Sequence, residues 1–200
     1  MKPNRTRTRR PNLIWVFGDQ HRGQALGCAG DPNLHTPNID VMATMGRYAN
    51  QAVGGFPLCC PYRGALLSGL YPHHSVPGHE YALDPALPTV ARPFNDAGFH
   101  TAYIGKWHVD GHQEREGRAA FHLIPPERRG GFKQWLGYEN NNSQWDCWVH
   151  GHDADGNEID HYRLDGYETD ELTDLALDFI EDYGDRQAEA DEVDPFFLVL

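Results

Sequence analysis

The sequence predicts an α/β fold with a central, mostly parallel β-sheet flanked by helices, and three observations carry that reading. Residues 13–17 and 196–200 are short continuous apolar runs, the pattern of strands buried on both faces of a parallel sheet. Between them, segments with helical period alternate with strand-like ones, as βα units require. Over 200 residues, 40% hydrophobic and 23% charged content fits a folded globular chain and excludes collagen, a coiled coil and wholesale disorder.

Residues 1–12, rich in Arg, Thr and Pro, read as a basic flexible segment, and 13–200 as the folded portion. The opening segment has no apolar core of a signal peptide, and Arg9-Arg10 is not followed by one. Four cysteines, two of them adjacent, do not make the spaced framework of a small secreted domain, so a reducing cytoplasm is the expected compartment. Seventeen Lys plus Arg against 29 Asp plus Glu give a net charge of −12 without a basic stripe beyond the opening segment. Nucleic acid is therefore not an expected partner. The longest apolar runs are far below the ~20 residues that a membrane helix needs, so no membrane partner is expected.

In chain order, Asp19 falls just past the C-terminal end of the first strand. Pro37 opens a short helix with Ile39, Met42 and Met45 at three-residue steps and Gly46 as its stop. Residues 47–53 look extended. Thr89 can cap a helix running to Ala97, with Pro93 near the limit of its first turn and Gly98 ending it. A strand at 101–105 follows. From 125 to 167 Gly, Asn and Trp mix without a clean period, although Asp155-Gly156 between Trp148-Val149 and Ile159 suggests a hairpin turn. Thr169 is a good N-cap, with Asp170 and Glu171 against the positive end of the helix dipole. Leu172, Leu175, Ala176, Phe179 and Ile180 then form one apolar face, and Gly184 is the expected stop before an acidic linker at 189–194.

The chemistry concentrates in Cys59-Cys60-Pro61-Tyr62-Arg63-Gly64. Pro61 suits the first position of a helix broken by Gly69, so both cysteines are expected just before a helix N-terminus. Free N–H groups and the dipole favour an anion there, and Arg63 adds positive charge one turn in. Some thiol chemistries fail on spacing. The residue six beyond Cys59 is Ala65, not the arginine of a thiol phosphatase, and vicinal cysteines are not a redox Cys-x-x-Cys. A zinc site from Cys59, Cys60, His73 and His74 lacks the usual ligand spacing. At this stage Cys59 and Cys60 could equally be small buried hydrophobes. His150-x-His152-x-x-Asp155 could hold a metal but reads as a solvated polar hairpin. Trp135, Tyr138, Trp145 and Trp148 could line an entrance, with core or subunit contact the plainer reading. No nucleotide-binding glycine motif occurs.

The flanking residues extend the pattern. Cys59-x-Pro61-x-Arg63 with Leu67-Ser68-Gly69 resembles the signature of the sulfatase family, within the alkaline-phosphatase-like superfamily. Residues 11–14 leading to Asp19, then Gly27-Cys28-Ala29-Gly30, Thr36-Pro37-Asn38-Ile39-Asp40, Gly105-Lys106-Trp107-His108, Gly166-Tyr167 to Asp174 and the closing 195–200 are similar to further family segments, in the family's order. The resemblance implies an alkaline-phosphatase-like sandwich, of which residues 13–200 would be the N-terminal portion of the catalytic domain, cut at 200.

It also implies the mechanism. Cys59 would be converted to formylglycine by a formylglycine-generating or other cysteine-oxidising enzyme, and the hydrated aldehyde would attack the sulfur of a small anionic sulfate ester, expelling the alcohol. Its second hydroxyl would then collapse the covalent ester and release sulfate. Arg63 would hold the nucleophile and developing charge, Lys106 the ester oxygens and His108 the hydrate's proton, each such contact worth ~3 kcal/mol in the transition state. Asp19 and Gln20 offer hard oxygens that suit calcium or magnesium better than zinc. By resemblance the metal is calcium, with magnesium or manganese as alternatives, and Cys59 is its third ligand. Asp19-Gln20, where many members carry two acidic residues, resembles the branch of choline sulfatases and phosphonate monoester hydrolases, so phosphonate monoester or phosphodiester hydrolysis is the alternative reaction. A catalytically incomplete, sulfatase-like binding module is the rival from another class, because later family ligands have no counterpart here. The 200 residues by themselves are expected not to turn over.

Taken singly, Asp19 could cap a turn, Lys106 snorkel from the sheet edge, and His108 be a satisfied core histidine. Their joint order around Cys59 favours function.

Overall fold

A computed structural model of the chain describes residues 10–189 and 193–200. Most of the segment expected to be flexible, residues 1–9, lies outside the described residues, as do 190–192 of the acidic linker. The last part of that opening segment is anchored: Arg10 lies over the Phe99 ring, and the Phe196 N–H donates to Asn12 Oδ1 at 3.1 Å.

The elements run β1 (Leu13–Trp15), α1 (Pro37–Met45), α2 (Cys59–Ser68), α3 (Ala91–Asp96), β2 (His100–Lys106), β3 (Gln134–Tyr138), β4 (Trp148–His152), β5 (Glu158–Arg163), α4 (Glu168–Glu189) and β6 (Phe196–Val199), with single 3₁₀ turns between them. One sheet holds all six strands in the order β1-β6-β2-β3-β4-β5. The first four pair in parallel, and β4 and β5 join antiparallel. Period-two alternation divides the core in two. Tyr103, Trp135, Phe197 and Val199 face a layer containing Cys60, Leu67 and Trp107. Ala102, Ile104, Phe196 and Leu198 face Ala176, Phe179 and Tyr183 of α4.

The predicted strand at 196–200 is the buried centre of the parallel sheet, with Phe196, Phe197, Leu198 and Val199 all under 5% exposed. The run at 13–17 differs from expectation. Among the described residues it is a short edge strand with a partner on one side only, and Ile14 and Val16 remain 52% and 62% exposed because α4 covers β2 and β6 but not β1. Residues 47–53 form no strand. The unperiodic region conceals β3, whose Trp135, Leu136 and Tyr138 are buried on both faces and so show no alternation.

The helix at Pro37–Met45 is as expected, and Thr89 accepts the Ala91 N–H at 3.2 Å ahead of α3. α4 starts one residue before its expected cap and continues through Gly184. Glycine there forfeits about 1 kcal/mol of helix propensity, which buried Tyr183 on one side and Gln187, bonded to Asn12 at 3.1 Å, on the other offset. Asp153 Oδ1 accepts the Asp155 and Asn157 N–H groups at 3.0 and 2.8 Å and fixes the predicted hairpin turn.

The two histidines of that hairpin are not a solvated pair. His150 is 1% exposed and its Nε2 accepts the Ile124 N–H at 2.8 Å, while His152 Nδ1 accepts the Trp135 N–H at 3.0 Å. Burial, then the Arg129 charge, lowers the His150 pKa to about 4. The unfolded chain therefore binds a proton that the folded chain refuses, and the stability present above the ordinary value of 6.5 is lost as pH falls from there towards 4.

Two outcomes follow from this packing. Gly137 lies opposite Gly105 where β2 meets β3, and a Cβ on it would sit 2.2 Å from the Gly105 carbonyl oxygen. Gly137→Ala should cost about 2 kcal/mol and lower the melting temperature by ~4–8 °C in circular dichroism melts, and an unchanged Tm would contradict the close approach. His150→Gln should remove about one proton from the pH dependence of unfolding between pH 6 and 4.5, a slope change of ~1.4 kcal/mol per pH unit in denaturant titrations, whereas parallel curves for variant and parent would contradict it.

Candidate active site

Leu58 is extended at the N-cap of α2, and Gly69 closes the helix in the left-handed region, its N–H bonding the Ala65 carbonyl at 2.8 Å. The helix begins two residues earlier than Pro61, so Cys59 and Cys60 are its first two residues rather than the residues before it. Tyr62 N–H reaching back to Leu58 O at 2.9 Å allows this, since Pro61 donates nothing and is tolerated anywhere in the first turn. Cys59 is half-buried and Cys60 fully buried.

One turn in, Arg63 points at the carboxyl ends of the parallel strands. It is 5% exposed, and its Nη1 donates to the Lys106 carbonyl at 2.6 Å and to the Tyr103 hydroxyl at 3.2 Å. Tyr103 also donates to the Lys106 carbonyl. The guanidinium lies 5.1 Å over the Phe17 ring, and its Nη2 is 3.8 Å from Asp19 Oδ1. Lys106 Nζ donates to Asp19 Oδ2 at 2.8 Å. Burial opposes ionisation of Asp19, but the Lys106 hydrogen bond and the charges of Lys106 and Arg63 outweigh it and hold the carboxyl below its ordinary range.

His108 follows with a positive φ of 53° and 3% exposure. Desolvation, then the charges of Lys106, His79 and Arg63, lowers its pKa to about 3, so it is neutral near pH 7. Its ring meets that of His79 edge-on, with centroids 5.3 Å apart. Burial pushes the Cys60 thiol up to about 11.

The structure thus brings Asp19, Arg63 and Lys106 into direct contact, with His108 close enough to feel both cations. Gln20, at φ 52°, and the Cys59 thiol make no side-chain hydrogen bond to other described residues. Asp19 is half-exposed, with its Oδ1 making no hydrogen bond to other described residues, so Asp19 and Gln20 present oxygen donors of the type a hard cation takes. The Gly27–Ala29 turn is held by its own neighbours: Asp40 Oδ1 accepts the Cys28 N–H at 2.8 Å and the Thr36 hydroxyl at 2.9 Å.

A cavity of about 540 Å³ opens beside the charged cluster, lined among others by Asp19, Arg63, Lys106, Tyr138, Asn141 and Glu168. Glu168 accepts from the Tyr138 hydroxyl at 2.5 Å and from Asn141 Nδ2 at 2.9 Å. Of the cluster's neighbours, Tyr138 is among the aromatics that could line an entrance and Glu168 lies in the family-like segment 166–174, whereas Tyr103 and His79 carry no motif. Tyr103 had one readable signal, its place on a predicted strand three residues before Lys106.

The sulfatase family profile matches residues 11–200. The chain is 41% identical over 134 residues to an ulvan-active sulfatase of Formosa agariphila, an alignment covering 65% of this chain and 24% of that protein. It is 33% identical over 178 residues to an endo-4-O-sulfatase of Bacteroides thetaiotaomicron, covering 72% and 35%. The solved structure of the yidJ protein of Bacteroides fragilis superposes with a TM-score of 0.78 at 26% identity, over 94% of this chain and 43% of that one. The chain therefore spans about a quarter to a third of the length of these curated relatives.

The Lys106–Asp19 pair is directly testable. In Lys106→Ala the burial that disfavours the carboxylate remains while its main counterweight is gone, so the Asp19 pKa should rise from its lowered value. Carboxyl-carbon NMR titration reads this, and an unshifted Asp19 would mean that Lys106 does not hold it.

Proposed function

The chain belongs to the sulfatase family, and from that premise we propose that it serves the hydrolysis of a sulfate ester at the carboxyl edge of its sheet, with Cys59 as the source of the nucleophile. The observation that most supports this is the convergence of Arg63, Lys106 and Asp19 one helical turn from Cys59. Two cations beside a half-exposed carboxylate form a place where a tetrahedral oxyanion gains charge-assisted hydrogen bonds once a divalent cation takes up the carboxylate.

In this reading Asp19 and Gln20, with an oxygen borne by the modified Cys59, hold a hard divalent ion, with calcium the proposed choice. When bound, that ion neutralises charge at the ester oxygens. Oxidation of Cys59 by a separate enzyme would supply an oxygen nucleophile where a thiol stands. The chain's other residues orient and exchange protons. Arg63 is held by Tyr103 and the Lys106 carbonyl through Nη1, so the guanidinium is already oriented for the ester. Lys106 binds a non-bridging oxygen, and neutral His108 can take up and return a proton near the nucleophile. Tyr138, Asn141 and Glu168 would meet the alcohol portion of the substrate in the adjoining cavity. An ulvan-active and an endo-4-O-sulfatase among the relatives support a sulfated saccharide as that substrate, and favour sulfate over phosphonate.

Peptide mass spectrometry of the active protein should find Cys59 with its thiol sulfur and two hydrogens replaced by an aldehyde oxygen, and Cys60 still a thiol. Arg63→Ala should lower sulfate-ester turnover about 10²–10³-fold. Full activity with an unmodified Cys59 thiol would reject the mechanism.

A further inference from the structure

Beyond Arg63 the site has a second set of ligating groups, whose donors are sulfur and nitrogen rather than oxygen. One ligand atom each from Cys60, His79 and His108 lies within 4.8 Å of the others. The Cys60 Sγ to His79 Nδ1 distance is 3.6 Å. A tetrahedral zinc ion with Zn–S of about 2.3 Å and Zn–N of about 2.0–2.1 Å requires a sulfur–nitrogen edge of about 3.6 Å. The Glu80 N–H donates to the same sulfur at 3.4 Å, the kind of outer contact that orients a ligating thiolate.

An independent feature points the same way. His108 is 3% exposed, and its Nδ1 is buried without a hydrogen-bond partner among the described residues. Buried ring nitrogens are ordinarily paired, and His108 keeps one unpaired while its ring shares a cluster with a thiol and a second imidazole. His79 is exposed and gives the cluster an entry from solvent.

We infer that Cys60, His79 and His108 form a second cation site, selective for a thiophilic divalent ion such as zinc, and that its occupation withdraws His108 from proton transfer and inhibits hydrolysis. Sulfur and imidazole donors separate it from the oxygen donors of Asp19 and Gln20. Three ligands leave a fourth position for water. On binding, the Cys60 S–H proton passes to solvent as the sulfur–metal bond forms, and the ion keeps its charge. The inhibitory consequence rests on the sulfate-ester reading, whereas binding does not.

Cobalt(II) serves as the spectroscopic probe on chelator-treated protein. A 1:1 complex with a thiolate-to-cobalt charge-transfer band, displaced by zinc, is expected. His79→Asn and Cys60→Ala should each abolish the band, while Cys59→Ala and Asp19→Ala retain it. His79→Asn alters only an exposed side chain, so its melting curve should match the parent's. Measured against its own zinc-free turnover, it should need at least tenfold more zinc for half-inhibition. No charge-transfer band in the parent protein, or a band that survives in His79→Asn, would overturn the site. Zinc that binds there without inhibiting would overturn its regulatory role. A protein that gives the band and no sulfate-ester turnover would uphold the site and remove the proposed function instead.

Discussion

A guanidinium can be buried only where its charge and its donors are met, and Arg63 is 5% exposed. Meeting that requirement organises the upper edge of the sheet. The Lys106 carbonyl, the Tyr103 hydroxyl, the Phe17 ring and the Asp19 carboxylate come from the ends of β2 and β1, and all converge on one side chain of α2. The helix carrying Cys59 is thereby fixed to the two strands that carry Asp19 and Lys106. A single side chain sets the distance between the candidate nucleophile and the candidate anion-binding groups.

The same edge concentrates backbone strain. The described non-glycine residues with positive φ are Gln20, Glu80 and His108, and each adjoins a candidate ligand or is one. Such conformations cost of order 1 kcal/mol or more and persist where the surroundings over-determine them. Here the surroundings are the Lys106–Asp19 pair, the Glu80 N–H held on Cys60, and the closed packing around Trp107 and Val109 on either side of His108. Charge and conformation are both held away from their relaxed values at one place.

Much of this was legible in the sequence, for reasons that differ by element. Residues 196–200 read as a strand because burial on both faces leaves an uninterrupted apolar signal, the strand read at 101–105 lies within β2, and α1 read well because Pro37 and Gly46 punctuate it. Burial of residues 13–17 did not follow from their composition, because the same apolar run suits a sheet's centre and its edge. Continuation of α4 through Gly184 depended on Gln187 reaching Asn12, a contact 175 positions apart. At the site, Asp19, Arg63, Lys106 and His108 belong to motifs, whereas His79 reaches Cys60 through a loop that has no pattern. The buried reading of Cys60 and the candidate role of Cys59 were competing accounts of one dipeptide, and the structure separates the two residues by burial.

Strand order carries a kinetic consequence. β6, the last of the described strands in sequence, lies between β1 and β2, with Phe197 opposite Leu13 on one side and Thr101 on the other. Among the described strands β1 has no partner until β6 arrives, so the loop that must close runs from Leu13 to Phe197. Contacts of that separation raise contact order and slow folding, because closure entropy is lost before the pairing repays it. During synthesis the β2–β3–β4–β5 portion can assemble before β6 has emerged to receive β1, which places docking of the Leu13 and Asp19 edge after the pairing of β2 with β3.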